Sequence, residues 1–152
     1  MNPDKANSKA EKITALFTRA RKHRRNTSWR IAKDLPISFY YAFQGITYAF
    51  ASQRNFRIQA CLGAFVLSFG IAMGVNAVKL AVIIFIVSLV LTLELINTSI
   101  EATVDLAIGQ RFHPLARIAK DCAAAAVLIA SISSLMVALI LLLPPFLTLL
   151  GL

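Results

Sequence analysis

The chain has 152 residues, of which 58% are hydrophobic and 15% charged, and its formal net charge is +9. This composition is too apolar for an ordinary soluble domain of this size, so it predicts one small integral membrane domain. Twelve of the sixteen basic residues precede Ile58 and three lie between Arg111 and Lys120, so they flank apolar segments. That distribution is typical of positive-inside membrane topology and argues against a nucleic-acid partner. The two cysteines form no CxxC motif, which favours small buried thiols over a metal or redox site.

The first part of the chain divides into an arm and a helix. Residues 1–35 are polar and basic, and we expect a cytoplasmic N-terminal arm there. Pro36 suits the first turn of the helix that follows. Residues 37–53 predict an amphipathic helix on the membrane surface, because Phe39, Phe43 and later apolar residues recur at three- and four-residue steps.

Three apolar runs predict transmembrane helices at about 57–75, 79–108 and 120–143, within a membrane domain that covers residues 36–152. The first uncharged run extends for about 31 Å as a helix, which is enough to cross the hydrocarbon core. The apolar part of the second run extends for only about 21 Å, so its helix must continue through the polar residues that follow. The predicted fold is therefore all-α, with three membrane spans after a surface helix.

The ends of these helices also carry signals. Gly109 offers a stop for the second span, and Pro144 and Pro145 are predicted to end or kink the third. His113 lies in the polar loop between those spans, where a solvated side chain is favoured over a phosphate contact. With the basic residues on the inside, the N-terminus and this loop are predicted to face the cytoplasm.

Three carboxylates fall on one face of the second span. Glu94, Glu101 and Asp105, here called the acidic stripe, are spaced so that a helix places them within roughly 20° of one line. Asn97 and Thr98 flank that line. Carboxylates at membrane depth are costly and normally face a bundle interior or an aqueous cavity. The acidic stripe therefore predicts a functional site near the cytoplasmic edge of the membrane.

The residue types suit phosphoryl transfer. Glu101 and Asp105 carry the hard oxygen ligands that Mg²⁺ takes together with substrate phosphates, and Glu94 is a candidate base. Lys120 and Asp121, at the start of the third span, supply a cation for phosphate and a further acid. No Walker A loop or protein-kinase motif is present. A structural polar network and an ion-conducting bundle stay open as alternatives on this evidence alone.

Two strings carry a resemblance. ELINTSIEATVD, at 94–105, matches E-x-x-N-[ST]-[AS]-[IV]-E-x-x-x-D, and AKDCAAAAVL, at 119–128, matches A-K-D-x-A-[AG]-[AG]-A-V-L. Together they closely resemble the prokaryotic diacylglycerol kinase family, which includes the undecaprenol kinases. The likeness covers roughly 38–143, with the NFRI string at 55–58. It implies a homotrimer in the bacterial inner membrane, with cytoplasmic sites between neighbouring subunits.

The resemblance also implies an activity and roles for residues. It implies transfer of the γ-phosphate of ATP, with Mg²⁺, to the hydroxyl of diacylglycerol, giving phosphatidate, with undecaprenol as the alternative substrate. Glu94 would be the base and Glu101 a metal ligand. The nucleotide would be bound by Asn97, Lys120 and Asp121, and by Tyr41 and Gly45 of the surface helix.

One position departs from the family pattern. The family usually has a Glu before N-F-R-I as a second metal ligand, whereas this chain has Gln53. A Gln carbonyl oxygen can coordinate Mg²⁺ but brings no charge. Gln59 likewise occupies a position that is often His or Glu. The departure at Gln53 leaves a second hypothesis open, a membrane protein that binds nucleotide or lipid with weakened catalysis.

Overall fold

The computed structural model describes residues 35–109 and 111–151, so the predicted arm at 1–34 lies outside the described residues. The described residues form helices and turns without a strand. The helices are α1 (35–52), α2 (Arg54–Ala72), α3 (Ala77–Ile108) and α4 (Pro114–Leu149).

Each of the helices α2, α3 and α4 is long and apolar enough to cross a membrane. The prediction of an all-α membrane protein with three spans is therefore confirmed. Helix α1 covers most of the predicted surface helix, and its position at the membrane surface stays a prediction.

The chain divides into two compact units, Met1–Gln44 and Gly45–Leu152. The described part of the first unit is helical, and its aromatic side chains are exposed. Within it the rings of Tyr40 and Tyr41 meet edge to face, with centroids 5.8 Å apart. The second unit contains the acidic stripe and all three spanning helices.

A corner at Gln53 separates α1 from α2. The Gln53 backbone is extended, and its N–H donates to the carbonyl of Ala49 at 2.8 Å. The Arg57 guanidinium Nη1 donates to the last carbonyls of α1, at 3.0 Å to Phe50 and 2.9 Å to Ala51. These carbonyls have no partner within their own helix, and a cation suits the negative end of the helix dipole. Arg57 therefore joins the start of α2 to the end of α1.

The ends of α3 are fixed by local chemistry. At its start the Asn76 side chain accepts a hydrogen bond from the Lys79 N–H at 3.0 Å, an N-cap that satisfies one free donor. At its end Gly109 has a φ of 60°, and its N–H donates to the Asp105 carbonyl at 2.8 Å. Glycine adopts this conformation without steric cost, so the predicted stop at Gly109 is confirmed.

Helix α4 is longer than the predicted 120–143. It begins at Pro114, which suits the first helical position, and the His113 side chain accepts from the Leu115 N–H at 3.2 Å. His113 is therefore an N-cap, a role that the sequence analysis missed. The helix also does not end at Pro144 and Pro145. Proline has a helical φ, and neighbouring groups can compensate for its missing donor within a membrane helix.

The three helices of the second unit pack through small residues. The buried residues of α2 recur every seven positions, at Phe56, Gly63 and Gly70. A Cβ at Gly63 would lie 2.5 Å from Val87 Cγ1, so the two backbones approach more closely than a side chain allows. Further along the interface, Gly70 faces the fully buried Ile83 of α3.

Many large apolar side chains are exposed in the single chain, including Phe65 and Phe85. Lipid tails are as apolar as these side chains, so a spanning helix need not bury them in protein. Cys61 and Cys122 are exposed for the same reason, and the prediction that both are buried is wrong for the single chain.

The close approach at Gly63 predicts a cost for a single methyl group. Gly63→Ala should destabilise the protein, because overpacking against the stiff Val87 costs about 1–3 kcal/mol. The gain in helix propensity, about 1 kcal/mol, does not offset the upper part of that range. The free energy of unfolding can be measured in mixed micelles titrated with dodecyl sulfate.

The matched control is Gly45→Ala, because a Cβ at Gly45 meets nothing within 4 Å. That variant should be at least as stable as the wild type. Adding Val87→Ala should restore stability to Gly63→Ala. Equal stability of Gly63→Ala and the wild type would show that the overpacking costs no more than the gain in helix propensity, about 1 kcal/mol.

Candidate active site

The deep end of the acidic stripe is turned into the protein. Helix α3 buries the apolar residues Ile83 and Val90, and the same face continues into buried Glu94, Asn97 and Thr98. Glu94 is only 3% exposed and Asn97 9%. The register that packs Ile83 against its neighbours therefore also carries a carboxylate into the interior.

Glu94 has a neutral partner. Gln59 Nε2, near the start of α2, donates to Glu94 Oε2 at 3.4 Å. The Thr98 hydroxyl donates to the backbone carbonyl of Glu94 at 2.9 Å. No cation pairs with Glu94 in the part of the chain that the structure describes. The carboxyl group of Glu94 is therefore buried, and its described partner is an amide.

Gln59 was given no role by the sequence analysis, although a signal was present. Gln59 is an uncharged polar residue in the first turns of a mostly apolar span. Two oxygens of the site are also buried without a protein partner, Gln59 Oε1 and Asn97 Oδ1. Buried polar atoms without partners are uncommon in folded proteins and point to a ligand.

Glu101 is fixed by the residue one turn before it. Asn97 Nδ2 donates to Glu101 Oε1 at 3.1 Å, and Glu101 itself is half-buried. The unpartnered Asn97 oxygen therefore belongs to an amide that contacts the Glu101 carboxylate. One carboxylate and one amide carbonyl are hard oxygen donors of the kind that Mg²⁺ accepts beside phosphate oxygens. Across residues 35–109 and 111–151, no group of three or more His, Cys, Asp or Glu side chains could hold a metal.

The outer end of the stripe is tied to α4. Lys120 Nζ contacts Asp105 Oδ1 at 2.5 Å, a salt bridge between α3 and α4. Asp121 pairs with Arg117, one turn earlier on α4, with 3.5 Å between Nε and Oδ2. An open depression of about 250 Å³ lies beside these groups and is also lined by Arg111. Lys120 is thereby linked to the stripe, whereas Asp121 is held by its own helix.

The other predicted site residues take part in none of the contacts described above. Gln53 is at the α1–α2 corner, where its side chain makes no capping hydrogen bond. Gly45 is exposed on α1 and belongs to the second unit. Tyr41, in the first unit, contacts the Tyr40 ring. No hydrogen bond among the described residues joins Gln53 to Glu101.

Comparison with known proteins identifies one family that the chain resembles. A family model described as prokaryotic diacylglycerol kinase matches residues 40–142. The diacylglycerol kinase of Synechocystis is 48% identical over 130 residues, covering 86% of this chain and 74% of that protein. The undecaprenol kinase of Bacillus subtilis is 37% identical over 107 residues, covering 70% and 86%. The diacylglycerol kinase of Escherichia coli K12 is 35% identical over 92 residues, covering 60% and 75%.

The matched region spans more than half of the chain. It contains the whole acidic stripe, the Gln59 partner of Glu94, and the Lys120 that contacts Asp105. The relatives described above come from bacteria, which fits a bacterial membrane protein. On this evidence, and as the two motifs predicted, the chain belongs to the prokaryotic diacylglycerol kinase family.

Proposed function

We propose that this protein is an ATP-dependent lipid kinase, which transfers the γ-phosphate to the hydroxyl of a membrane lipid alcohol. The observation that carries the proposal is the burial of Glu94 within a span that crosses the membrane. A lipid hydroxyl lies at the membrane interface, so the group that takes its proton has to belong to a segment within the membrane. Glu94 belongs to a helix that can span the membrane and has no cation partner in the described chain.

The reaction divides between two carboxylates. Glu94 accepts the proton of the lipid hydroxyl, and the hydroxyl oxygen forms a bond to the γ-phosphorus. The bond from that phosphorus to the bridging oxygen breaks, and ADP leaves with the electron pair. Such a transfer depends mainly on positioning and on neutralising the charge of the phosphates.

The neutralising charge requires a metal and a cation. Glu101 and the unpartnered Asn97 oxygen would hold Mg²⁺, with Gln53 as a neutral third ligand. When bound, the ion would offset the charge of the ATP phosphates. Lys120, held near the site by Asp105, would contact a phosphate, and Asp121 would contact the nucleotide.

The surface helix would complete the nucleotide site. Tyr41 and Gly45 are proposed to bind the nucleotide, as the family resemblance implies. We further propose a homotrimer with sites between subunits, in the inner membrane, with the N-terminus and the sites facing the cytoplasm. The distribution of basic residues supports that orientation. Exposed apolar side chains on the spanning helices leave surface for subunit contacts.

Diacylglycerol is the proposed substrate, and phosphatidate the product. The support is the 48% identity to a protein named as a diacylglycerol kinase, against 37% to one named as an undecaprenol kinase. Both lipids present one hydroxyl and leave apolar chains in the bilayer. A weakened enzyme that mainly binds nucleotide or lipid is the second candidate, because Gln53 replaces a family carboxylate.

The first prediction concerns the base. Glu94→Gln keeps the size of the side chain but cannot accept the proton, so the rate of phosphate transfer should fall by roughly 100- to 10,000-fold. The measurement is radiolabel transfer from ATP to diacylglycerol in mixed micelles. Ser99→Ala, an exposed change on the same helix, is the matched control and should leave the rate unchanged. Equal rates for Glu94→Gln and the wild type would exclude Glu94 as the base.

The second prediction concerns the metal. Glu101→Ala should abolish turnover, whereas Gln53→Ala should cost far less because it removes a neutral oxygen. Rates measured against Mg²⁺ at fixed ATP should show a weak apparent affinity of the wild type for free Mg²⁺ beyond that needed to form MgATP. Gln53→Glu should raise the rate if the missing carboxylate limits catalysis. Equal damage from Gln53→Ala and Glu101→Ala would make Gln53 a full ligand.

The third prediction concerns the lipid. Parallel assays with diacylglycerol and undecaprenol in the same micelles should give the higher kcat/KM with diacylglycerol. A higher value with undecaprenol would reverse the substrate assignment and leave the kinase assignment intact. Binding of MgATP without transfer to either lipid would instead support the weakened enzyme.

A further inference from the structure

A side chain outside the assigned set holds the buried carboxylate. Gln59 is the residue of α2 that contacts Glu94, by the hydrogen bond from Nε2 to Oε2 at 3.4 Å. We propose that Gln59 is a positioning residue, which fixes the orientation of the Glu94 carboxylate so that its other oxygen meets the lipid hydroxyl. The inference rests on the proposed role of Glu94 as the base.

The geometry assigns separate tasks to the two oxygens of Glu94. The described hydrogen bonds to the carboxylate engage Oε2 alone, through Gln59. The Thr98 hydroxyl occupies the backbone carbonyl, so it does not compete for the carboxylate. Oε1 is therefore the oxygen left to take a proton. The hydrogen bond from the Gln59 amide is long at 3.4 Å, as catalytic hydrogen bonds often are before substrate binds.

Stability gives no reason for an amide at this position. Gln59 borders a mostly apolar cavity of about 110 Å³ between α2, α3 and α4, together with Leu62, Val87 and Val90. Its Oε1 is buried without a partner, which costs about 1–3 kcal/mol. A hydrogen bond within a membrane contributes on average under about 1 kcal/mol. The Gln59 amide therefore destabilises the fold at least as much as it stabilises it. Its contribution is the N–H that it donates to Glu94.

The effect of Gln59 on stability distinguishes a positioning role from a structural role. A structural residue, when replaced, lowers stability, and activity falls with it. Gln59→Leu removes the N–H and the unpartnered oxygen together, so stability should stay equal or rise. A positioning role nevertheless predicts a loss in kcat, because the carboxylate turns away from the hydroxyl.

The experiment measures kcat, KM and thermal stability of the full-length protein in micelles with diacylglycerol and MgATP. Gln59→Leu should lower kcat by roughly 10- to 100-fold, the scale of a misplacement of about 1 Å, with KM for MgATP unchanged. Gln59→Met, also without a donor, serves as a second variant if the Leu protein folds poorly. Ser134→Ala changes another polar wall of the same cavity and should leave kcat unchanged.

A double-mutant cycle tests whether Gln59 acts through Glu94. In the Glu94→Gln background, Gln59→Leu should lower the residual rate no further, because the group that it positions is already lost. An equal fractional loss in both backgrounds would overturn the inference, as would a wild-type kcat for Gln59→Leu and Gln59→Met.

The two proposals fail in different ways. If Glu94→Gln is inactive and the Gln59 variants are fully active, the positioning role fails and the lipid kinase stands. If Glu94→Gln is fully active, Glu94 is not the base, and the positioning role falls with it. A lower stability of the Gln59 variants with a proportional loss of bound MgATP would make the residue structural.

Discussion

The main constraint on the structure is that α3, an apolar membrane-spanning helix, carries the buried carboxyl group of Glu94. An acidic residue within a membrane helix costs up to about 3 kcal/mol on insertion scales, which is the value at the centre of the bilayer. The single contact that Glu94 receives from Gln59 returns about 1 kcal/mol at most. The remainder has to come from the apolar length of α3 and from its packing against two neighbours. Glu94 therefore needs tight packing of the helices around it.

The packing that supports Glu94 also sets its chemistry. Gly63 lies one helical turn after Gln59 on α2, and its contact Val87 lies two turns before Glu94 on α3. The close approach at Gly63 therefore lies one turn from Gln59, in the same α2–α3 interface as the contact between Gln59 and Glu94. A methyl group at Gly63 would act on that interface within one turn of Gln59.

The parts of this arrangement that were predictable are those encoded along one helix. The spacing of the acidic stripe fixed its common face, and Gly109 marked the end of α3, because helical geometry alone decides both. Contacts between helices were not predictable, since they depend on register and on the approach distance. The Gln59 contact with Glu94 and the Lys120 contact with Asp105 belong to this second group.

Other misses had local causes. His113 lies exposed in the loop before α4, as predicted, but its capping role was missed, although the Pro114 that follows it signals a helix start. Pro144 and Pro145 were predicted to end or kink α4, and the helix does not end there, because proline ends soluble helices more readily than membrane helices. The Asp121 pair with Arg117 follows from their spacing of one turn and was not predicted.

The charges of the site show how its carboxylates divide their work. Lys120 pairs with Asp105, so the outer end of the stripe is neutralised, and no cation pairs with Glu94 or Glu101 in the described chain. Family resemblance puts a Glu at the Gln53 position and often a His or Glu at the Gln59 position. A second carboxylate about 4 Å from Glu94 would add repulsion of roughly 4 kcal/mol at a protein-like dielectric, unless it were protonated or bound a cation. In the proposed reaction, an amide there leaves Glu94 to take a proton and Glu101 to hold the metal. The neutral residues thus reduce the number of charges that the site has to balance.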